Sequence, residues 1–332
     1  GHSEIIQADR EVEAVAQRSG DPKHRAMANY TAGTNQFYGG DMAQARRLLN
    51  QAQDYFRERP DSDKAGRFGV DGPVFLSNLT GAWASVLAGY PEEAENTLQI
   101  AAQLMDADND PFALMQILLH GCVVKQDWGD DPRRVLENAE RILETIEQYN
   151  LPGWRPLCQI NRGWSRAMLG DAGGVEEIAS GVSTDGTGGT TRGHSLVMLA
   201  EAQMTIDDRS GAMESLDLSI RSAGGHISSF FISAAHRMKA ELLWQDGAME
   251  EADNHFRDAL DVARQRNARM LELRAATSYA DFLDQTGDSD VGHKHLLRVT
   301  DEFAGGRDSP YMQQALQLLA RLHNRRPISI EL

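Results

Sequence analysis

Aromatic, histidine and arginine side chains recur through the middle and later parts of the sequence, and together they could form a ligand site. Seven residues make up this candidate site: Trp154, Arg162, Trp164, His194, Phe231, His236 and Arg237. Aromatic rings can enclose an organic molecule, and a guanidinium can hold an anionic group through parallel hydrogen bonds. The alternative interpretation is that Trp164 and Phe231 pack in the core while the charged side chains face solvent. The residue types are compatible with both interpretations.

Catalytic and metal-binding motifs are not recognisable in the sequence, which lacks frames such as Gly-x-Ser-x-Gly and His-Glu-x-x-His. His293 and His295 are two residues apart and would point in different directions on a helix, whereas helical metal pairs are three or four apart. The Gly- and Thr-rich segment 183–193 lacks a Gly-Lys-Ser/Thr ending and follows no predicted strand, so we interpret it as a connector and not a phosphate site. We predict no catalytic residue, metal ligand or cofactor.

The candidate residues lie within a repeat that returns about every forty residues, marked by a glycine and a small residue five positions later. The marks are Gly40/Ala45, Gly89/Ala94, Gly170/Val175, Asp207/Ala212, Gly247/Ala252 and Gly287/Gly292, with a degenerate copy at Gly129. A small residue is needed where the two helices of a hairpin approach most closely. Such a repeat predicts stacked helical hairpins whose first helices line a concave face.

The periodicity predicts an all-α fold, because apolar residues recur at helical spacing and strand-like alternation is absent. We predict one superhelical domain over 1–332, with an entry helix in 1–20, about seven hairpins in 21–303 and a capping helix at 309–323. The hairpins are expected near residues 22–58, 73–106, 111–149, 154–181, 191–223, 227–266 and 269–303. Two connections, 60–73 and 183–193, are long for such an array. Four N-caps before a proline support the helix starts: Asp21, Asp110, Asp131 and Ser309.

The composition limits the binding partners and the cellular compartment expected for the chain. A formal charge of -16 and a pI of about 5.0 oppose contact with phosphate backbones and anionic lipid, so we expect no direct nucleic-acid or membrane partner. Cys122 and Cys158 are the only cysteines and are expected to be buried thiols in a reducing compartment, the cytoplasm. The longest apolar stretch, 112–124, is far shorter than the roughly 20 residues of a membrane span. We expect the chain to be part of a larger protein.

Several segments carry a resemblance to a known family. They are residues 74–94, Asn161-Arg162-Gly163-Trp164 followed by Leu169-Gly170, residues 236–243 and residues 272–276. In this order they resemble the C-terminal tetratricopeptide-repeat (TPR)-like region of bacterial signalling ATPases, with the similarity covering about residues 65–322. Those proteins carry a class III adenylate/guanylate cyclase or winged-helix DNA-binding domain before the ATPase module. The chain departs from them at 230–235, where Ser233 replaces an acidic residue, so the same ligand is not implied.

The resemblance implies a TPR-like regulatory arm of a bacterial protein, without enzymatic activity of its own. We expect a sensor that binds a small-molecule signal in its concave groove and controls the attached ATPase, cyclase or transcriptional output. The alternative is a scaffold that binds a peptide or a partner subunit. A groove closed by the 183–193 loop would favour the first function, whereas an open acidic groove that accepts basic segments would favour the second.

Overall fold

The computed structural model describes residues 2–58, 73–104, 110–184, 191–222, 231–303 and 305–324, with side chains from residue 7 in the first range and residue 76 in the second. Within these ranges the chain forms sixteen α-helices and no strand, which confirms the all-α prediction. The helices are α1 His2–Ser19, α2 Pro22–Gly39, α3 Met42–Glu58, α4 Pro73–Leu87, α5 Pro91–Leu104, α6 Pro111–Trp128, α7 Pro132–Tyr149, α8 Arg155–Met168, α9 Gly173–Thr184, α10 Arg192–Thr205, α11 Arg209–Ser222, α12 Ile232–Gln245, α13 Met249–Gln265, α14 Arg269–Thr286, α15 Ser289–Asp301 and α16 Pro310–Asn324.

The helices pair into seven consecutive hairpins, from α2/α3 to α14/α15, and each hairpin packs on the next. Helix α1 packs on α2 at one end of the array, and α16 packs on α14 and α15 at the other. A short 3₁₀ turn, Pro152–Trp154, leads into α8. The number of hairpins and the terminal helix agree with the repeat read from the sequence. Most of the two long connections, residues 59–72 and 185–190, and Phe230 lie outside the described residues.

The repeated glycine mark is the residue that turns the chain after the first helix of each hairpin. Its backbone lies in the left-handed region, where a glycine avoids the steric cost that a side chain would meet. Six of the marks have φ between 80° and 101°: Gly40, Gly89, Gly129, Gly170, Gly247 and Gly287. The seventh, Asp207, adopts φ 60°, a conformation that a short polar side chain tolerates. The glycine recurs in the sequence because each of these turns needs a left-handed backbone.

The second mark holds a small residue at which the two helices of several hairpins pack against each other. Ala45, Ala94 and Ala252 are fully buried between the helices of their hairpins. In the fourth hairpin the contact falls one residue before the predicted Val175, at Gly174. A Cβ added at the facing Gly163 of α8 would lie 2.6 Å from the Gly174 carbonyl oxygen. The backbones of α8 and α9 therefore touch, and Val175 packs beside this contact.

The predicted N-caps are confirmed by side-chain hydrogen bonds. Asp21, Asp110 and Asp131 accept from backbone N–H groups two residues onward, at 2.8, 2.9 and 2.9 Å. The Ser309 hydroxyl accepts from the Met312 N–H at 3.1 Å. Because a helix leaves its first N–H groups without internal partners, these caps stabilise the starts of α2, α6, α7 and α16.

Both cysteines lie on helices of the central hairpins, Cys122 on α6 and Cys158 on α8. Cys122 and Cys158 are buried and free, as expected. Burial raises the pKa of both thiols, to about 12 for Cys158, so both are protonated near neutral pH. None of the helices in the described ranges has the length and apolarity to cross a membrane.

The array curves until its early hairpins touch its late ones. The Met42 N–H, at the start of α3, donates to the Arg266 carbonyl between α13 and α14 at 2.9 Å. The Gly306 N–H before α16 donates to Glu92 of α5 at 2.9 Å. The ring of Tyr311 on α16 packs against the turn between α6 and α7. These contacts join the early hairpins to the late ones across the concave side of the array.

Candidate ligand site on the inner face

A cavity of about 180 Å³ lies on the inner face, and we call it the inner pocket. Its walls come from α2, α4, α6, the 3₁₀ turn, α8, α10 and the residue before α10. The apolar and aromatic lining residues are Tyr38, Trp83, Leu119, Val123, Trp154, Leu157, Ile160 and Met198. The polar lining residues are Gln116, His120, Asn161, Thr191, His194 and Ser195. Helices from five hairpins thus contribute to one space.

The described lining of the inner pocket contains no Asp, Glu, Lys or Arg. A cavity of about 150 Å³ can hold a benzene-sized molecule, so the volume fits a ring or a short branched body. Aromatic edges define the wall: the ring of Trp83 meets the His194 ring edge-on at 5.4 Å, and Trp154 meets Phe112 at the same centroid distance. The pocket is therefore chemically suited to a small, uncharged organic molecule.

The polar groups of the pocket are oriented by neighbouring hydrogen bonds. The Asn161 amide nitrogen donates to the Leu157 carbonyl at 2.8 Å, and its oxygen accepts from the Gln126 amide at 3.1 Å. The His120 Nδ1 lies 2.8 Å from the Gln116 carbonyl. Burial lowers the pKa of His120, so the ring is neutral near pH 7. With Nδ1–H donating to that carbonyl, Nε2 is left as an acceptor.

A second cavity, of about 30 Å³, adjoins the inner pocket and shares His194 and Met198 with it. We call it the inner cavity; it has room for water-sized molecules only. Its charged lining residues are the buried Asp127 and the half-buried Glu201 and Arg274, and tryptophan N–H groups donate hydrogen bonds to both carboxylates. The Trp83 indole donates to Asp127 at 2.7 Å, and the Trp164 indole donates to Glu201 at 2.7 Å. Arg274 adds a hydrogen bond to Glu201 at 3.4 Å.

Burial also sets the protonation of the groups between the two cavities. It raises the pKa of Asp127, an effect that the hydrogen bond from the Trp83 indole partly offsets. Burial lowers the pKa of His194, against the opposing influence of Asp127 and Glu201. The imidazole that both cavities share is therefore neutral near pH 7 and can accept or donate one hydrogen bond.

Four of the seven sequence-predicted site residues meet at these two cavities. Trp154 and His194 line the inner pocket, and His194, Trp164 and Phe231 line the inner cavity. Trp164 and Phe231 are also buried core residues, at 6% and 2% exposure. Both aromatic side chains therefore belong to the core and also border the inner cavity, whereas neither lines the larger inner pocket.

Three predicted residues point elsewhere. Arg162 donates to Glu177 of α9 at 2.6 Å, between the two helices of its own hairpin. His236 faces His255 of α13. Arg237 pairs with Glu241 at 2.6 Å along α12, and its buried Nε has no hydrogen-bond partner among the described residues. The described lining of the two cavities includes none of the three predicted residues.

Sequence reasoning missed the contribution of the early hairpins, chiefly Tyr38, Trp83 and His120. Trp83 and His120 lie on first helices, the elements expected to line the concave face, so the same rule applied to hairpins one to three would have found them. The seven predicted residues all lie in the central and later hairpins. Only the closure of the array brings Tyr38 and Trp83 close to His194, and the repeat pattern carries no information about closure.

Comparisons with known proteins support the architecture. No protein-family model matches the sequence, and no curated protein matches it significantly. A Rap protein complexed with competence and sporulation factor has a TM-score of 0.62 at 11% identity, over 90% of this chain and 86% of that chain. Yeast Tom70 has a TM-score of 0.56 at 14% identity, and the similarity covers 92% of this chain and 64% of the Tom70 chain.

A third similar structure is a signal transduction ATPase with numerous domains (STAND) that has a tetratricopeptide repeat sensor, from Pyrococcus horikoshii. Its TM-score is 0.46 at 12% identity. The similarity covers 97% of this chain but only 50% of that protein, so this chain spans about half of its length. At these identities the similarities concern the fold. The protein therefore has a TPR-like α-solenoid fold of seven hairpins between two flanking helices.

Proposed function

We propose that this chain is a non-enzymatic sensor module that binds a small, uncharged organic molecule in the inner pocket. Ligand binding would control an output domain elsewhere in a larger bacterial signalling protein, an ATPase with a cyclase or DNA-binding domain by the sequence resemblance. The molecule would be about the size of one or two rings, since a cavity of about 150 Å³ holds benzene.

The observation that carries this proposal is the composition of the inner pocket. Aromatic and aliphatic walls surround a few oriented polar groups, and its described lining has no charged side chain. An anionic ligand held by the two arginines of the sequence-predicted site has less support, because Arg162 is engaged by Glu177 and Arg237 by Glu241. A neutral ligand avoids the cost of burying a charge without a partner.

Contacts between the hairpins would allow ligand binding in the inner pocket to influence an attached output domain. The pocket joins helices of five hairpins, and the early hairpins also contact the late ones through Met42 and Arg266. A ligand that fits one angle between hairpins better than another shifts the array toward that shape by its difference in affinity. In a solenoid, small rotations at several interfaces add up along the chain.

The first experiment is native mass spectrometry of the purified chain, followed by ligand-observed NMR with indole as a neutral aromatic probe. Leu157→Trp adds a large side chain to the inner pocket and is expected to abolish a bound mass or an indole signal. The matched control is Leu48→Trp, another half-buried leucine, which lines a groove between α1, α2 and α3. Equal signals in both variants, or no binding of any small molecule to the wild type, would refute the sensor proposal.

The alternative function, a scaffold for a peptide or partner subunit, has its own structural support. A groove of about 550 Å³ between α1, α2 and α3 is lined by polar and charged side chains, among them Asp9, Arg10, Arg25 and Arg47. The Rap protein, a fold neighbour, was solved with a bound factor. If partner capture is lost in Leu48→Trp and kept in Leu157→Trp, the scaffold function replaces the sensor function.

A further inference from the structure

Three metal-ligating side chains meet on the sixth hairpin, outside both cavities. His236 of α12 faces His255 of α13, with the two Nδ1 atoms 2.8 Å apart. Asp258, one turn after His255, places Oδ2 3.7 Å from the His236 Nδ1 and 3.9 Å from the His255 Nδ1. All three donor atoms therefore lie on one side of the hairpin, and the mechanism proposed for the inner pocket uses none of them.

From this geometry we propose that His236, His255 and Asp258 bind a divalent transition-metal ion, with Zn²⁺ as the best-fitting candidate. The three separations define a triangle whose centre lies about 2.1 Å from each donor atom, the distance at which zinc binds imidazole nitrogen and carboxylate oxygen. An ion can therefore contact all three donors with little movement of the helices.

The donor set selects the class of metal. Two imidazoles and one carboxylate suit Zn²⁺, Ni²⁺, Co²⁺ or Cu²⁺, whereas Ca²⁺ and Mg²⁺ require mostly oxygen ligands. Asp258 is the most exposed of the three, with 59% of its side chain accessible, so a fourth ligand can come from solvent. The proposed site therefore has three protein ligands and one coordination position open to solvent.

Binding requires a change in one proton position. In the metal-free pair one Nδ1–H donates to the other Nδ1, so the two rings are different tautomers. The ion replaces that shared proton, which leaves as the same ring takes up a proton at Nε2. Both rings then bind the metal through Nδ1 and carry Nε2–H, with no net release of protons from a neutral pair.

The surrounding charges limit the affinity and provide a way to change it. Lys239, one turn after His236, is positively charged and opposes a cation at the site. Its ammonium is held 2.6 Å from Asp217 of α11, which balances part of that charge. Replacing Lys239 by methionine keeps the aliphatic stem and should tighten Zn²⁺ binding.

The experiment uses the whole chain after EDTA treatment and gel filtration, with ZnCl₂ added in isothermal titration calorimetry and bound zinc counted by elemental analysis. We expect one equivalent of Zn²⁺, at least about tenfold weaker binding in His255→Ala and in Asp258→Asn, and tighter binding in Lys239→Met. Saturating Zn²⁺ should raise the Tm of the wild type by about 2–4 °C, and this increase should be lost in His255→Ala.

The matched control is His323→Ala, an exposed histidine whose ring pairs with His293 at a centroid distance of 6.1 Å. This variant should bind zinc like the wild type. Circular dichroism checks that each variant keeps its helices, and Co²⁺ absorption reports the ligand set directly. If zinc does not bind, or if the affinity is the same in His255→Ala, Asp258→Asn and the wild type, the site does not exist.

Discussion

The two sides of α8 show how neighbouring residues can have opposite roles. Asn161 and Trp164 face the inner face, where they border open volume. Arg162 and Gly163 face α9, where Glu177 and backbone atoms leave no space. Changes on the first side should alter what the pocket binds, whereas changes on the second should alter whether the hairpin folds. A test of this difference is therefore a test of the proposed site.

The largest effect is expected at the α8/α9 contact. Gly163→Ala places a Cβ 2.6 Å from the Gly174 carbonyl and 2.9 Å from the Ile178 backbone nitrogen. Because backbone atoms cannot move aside without separating the helices, we expect a loss of about 3 kcal/mol in the free energy of unfolding. Urea unfolding followed by circular dichroism measures it.

The control for this prediction is Gly153→Ala in the 3₁₀ turn, where an added Cβ meets no atom within 4 Å. Its unfolding free energy should stay within about 0.5 kcal/mol of the wild type. If Gly163→Ala is as stable as Gly153→Ala, α8 and α9 do not approach each other closely at this point. The two faces of α8 would then not differ in role as described above.

The turn and contact residues of the fold could be predicted from sequence because each has a local cause. Gly40 and Gly287 need a left-handed backbone, and Asp21 caps a helix within three residues of itself. The first requirement leaves a glycine at the turn of six hairpins and the tolerant Asp207 in the seventh. The one-residue shift from Val175 to Gly174 could not be predicted, because it depends on Gly163 across the hairpin.

The candidate site was predictable only in part, because helical spacing does not fix which way an arginine or histidine points. Arg162 and Trp164 are two residues apart, and only Trp164 borders a cavity. The proposed metal ligands His236 and His255 are nineteen residues apart and meet across a hairpin. A search for histidines three or four apart in sequence, the rule applied to His293 and His295, misses such a pair.

A smaller effect is expected from the ion pairs between α8 and α9. The Glu177 side chain is 8% exposed and accepts from Arg162 at 2.6 Å and from Arg166 at 2.7 Å. Glu177→Gln keeps the shape but turns an amide N–H₂ group toward an arginine, so we expect a loss of about 2 kcal/mol. Indole binding in the inner pocket should stay unchanged.

The neighbouring exposed residue provides the matched comparison: Glu176→Gln should change stability by less than about 0.5 kcal/mol. Ligand-observed NMR with indole on Glu177→Gln, at a temperature where the variant is folded, measures the second part of the prediction. A change in indole affinity there would mean that Arg162 contributes to the pocket after all, as the sequence first indicated.

The smallest effect is expected in the pH dependence of the free energy of unfolding, through the histidines of the inner pocket. Burial lowers the pKa of His194 below its ordinary 6.5, so below about that pH the unfolded chain binds a proton that the folded chain does not. The free energy of unfolding should therefore fall as the pH falls from 7.5 to 5.5, by at most about 1.4 kcal/mol per pH unit below 6.5 for this group. His194→Gln should reduce the fall, because glutamine does not titrate.

His120→Gln, the other pocket histidine whose pKa burial lowers, should reduce the same slope. The raised pKa of Asp127 acts in the opposite direction, since the folded chain then binds a proton more readily than the unfolded chain as the pH falls. The contribution of each histidine is therefore the difference in slope between the wild type and its variant. Urea unfolding of the wild type and both variants at pH 7.5 and 5.5 gives the slopes directly. If neither variant changes the slope, the two histidines are not shielded from water, and the proposal that this pocket binds an uncharged ligand loses its basis.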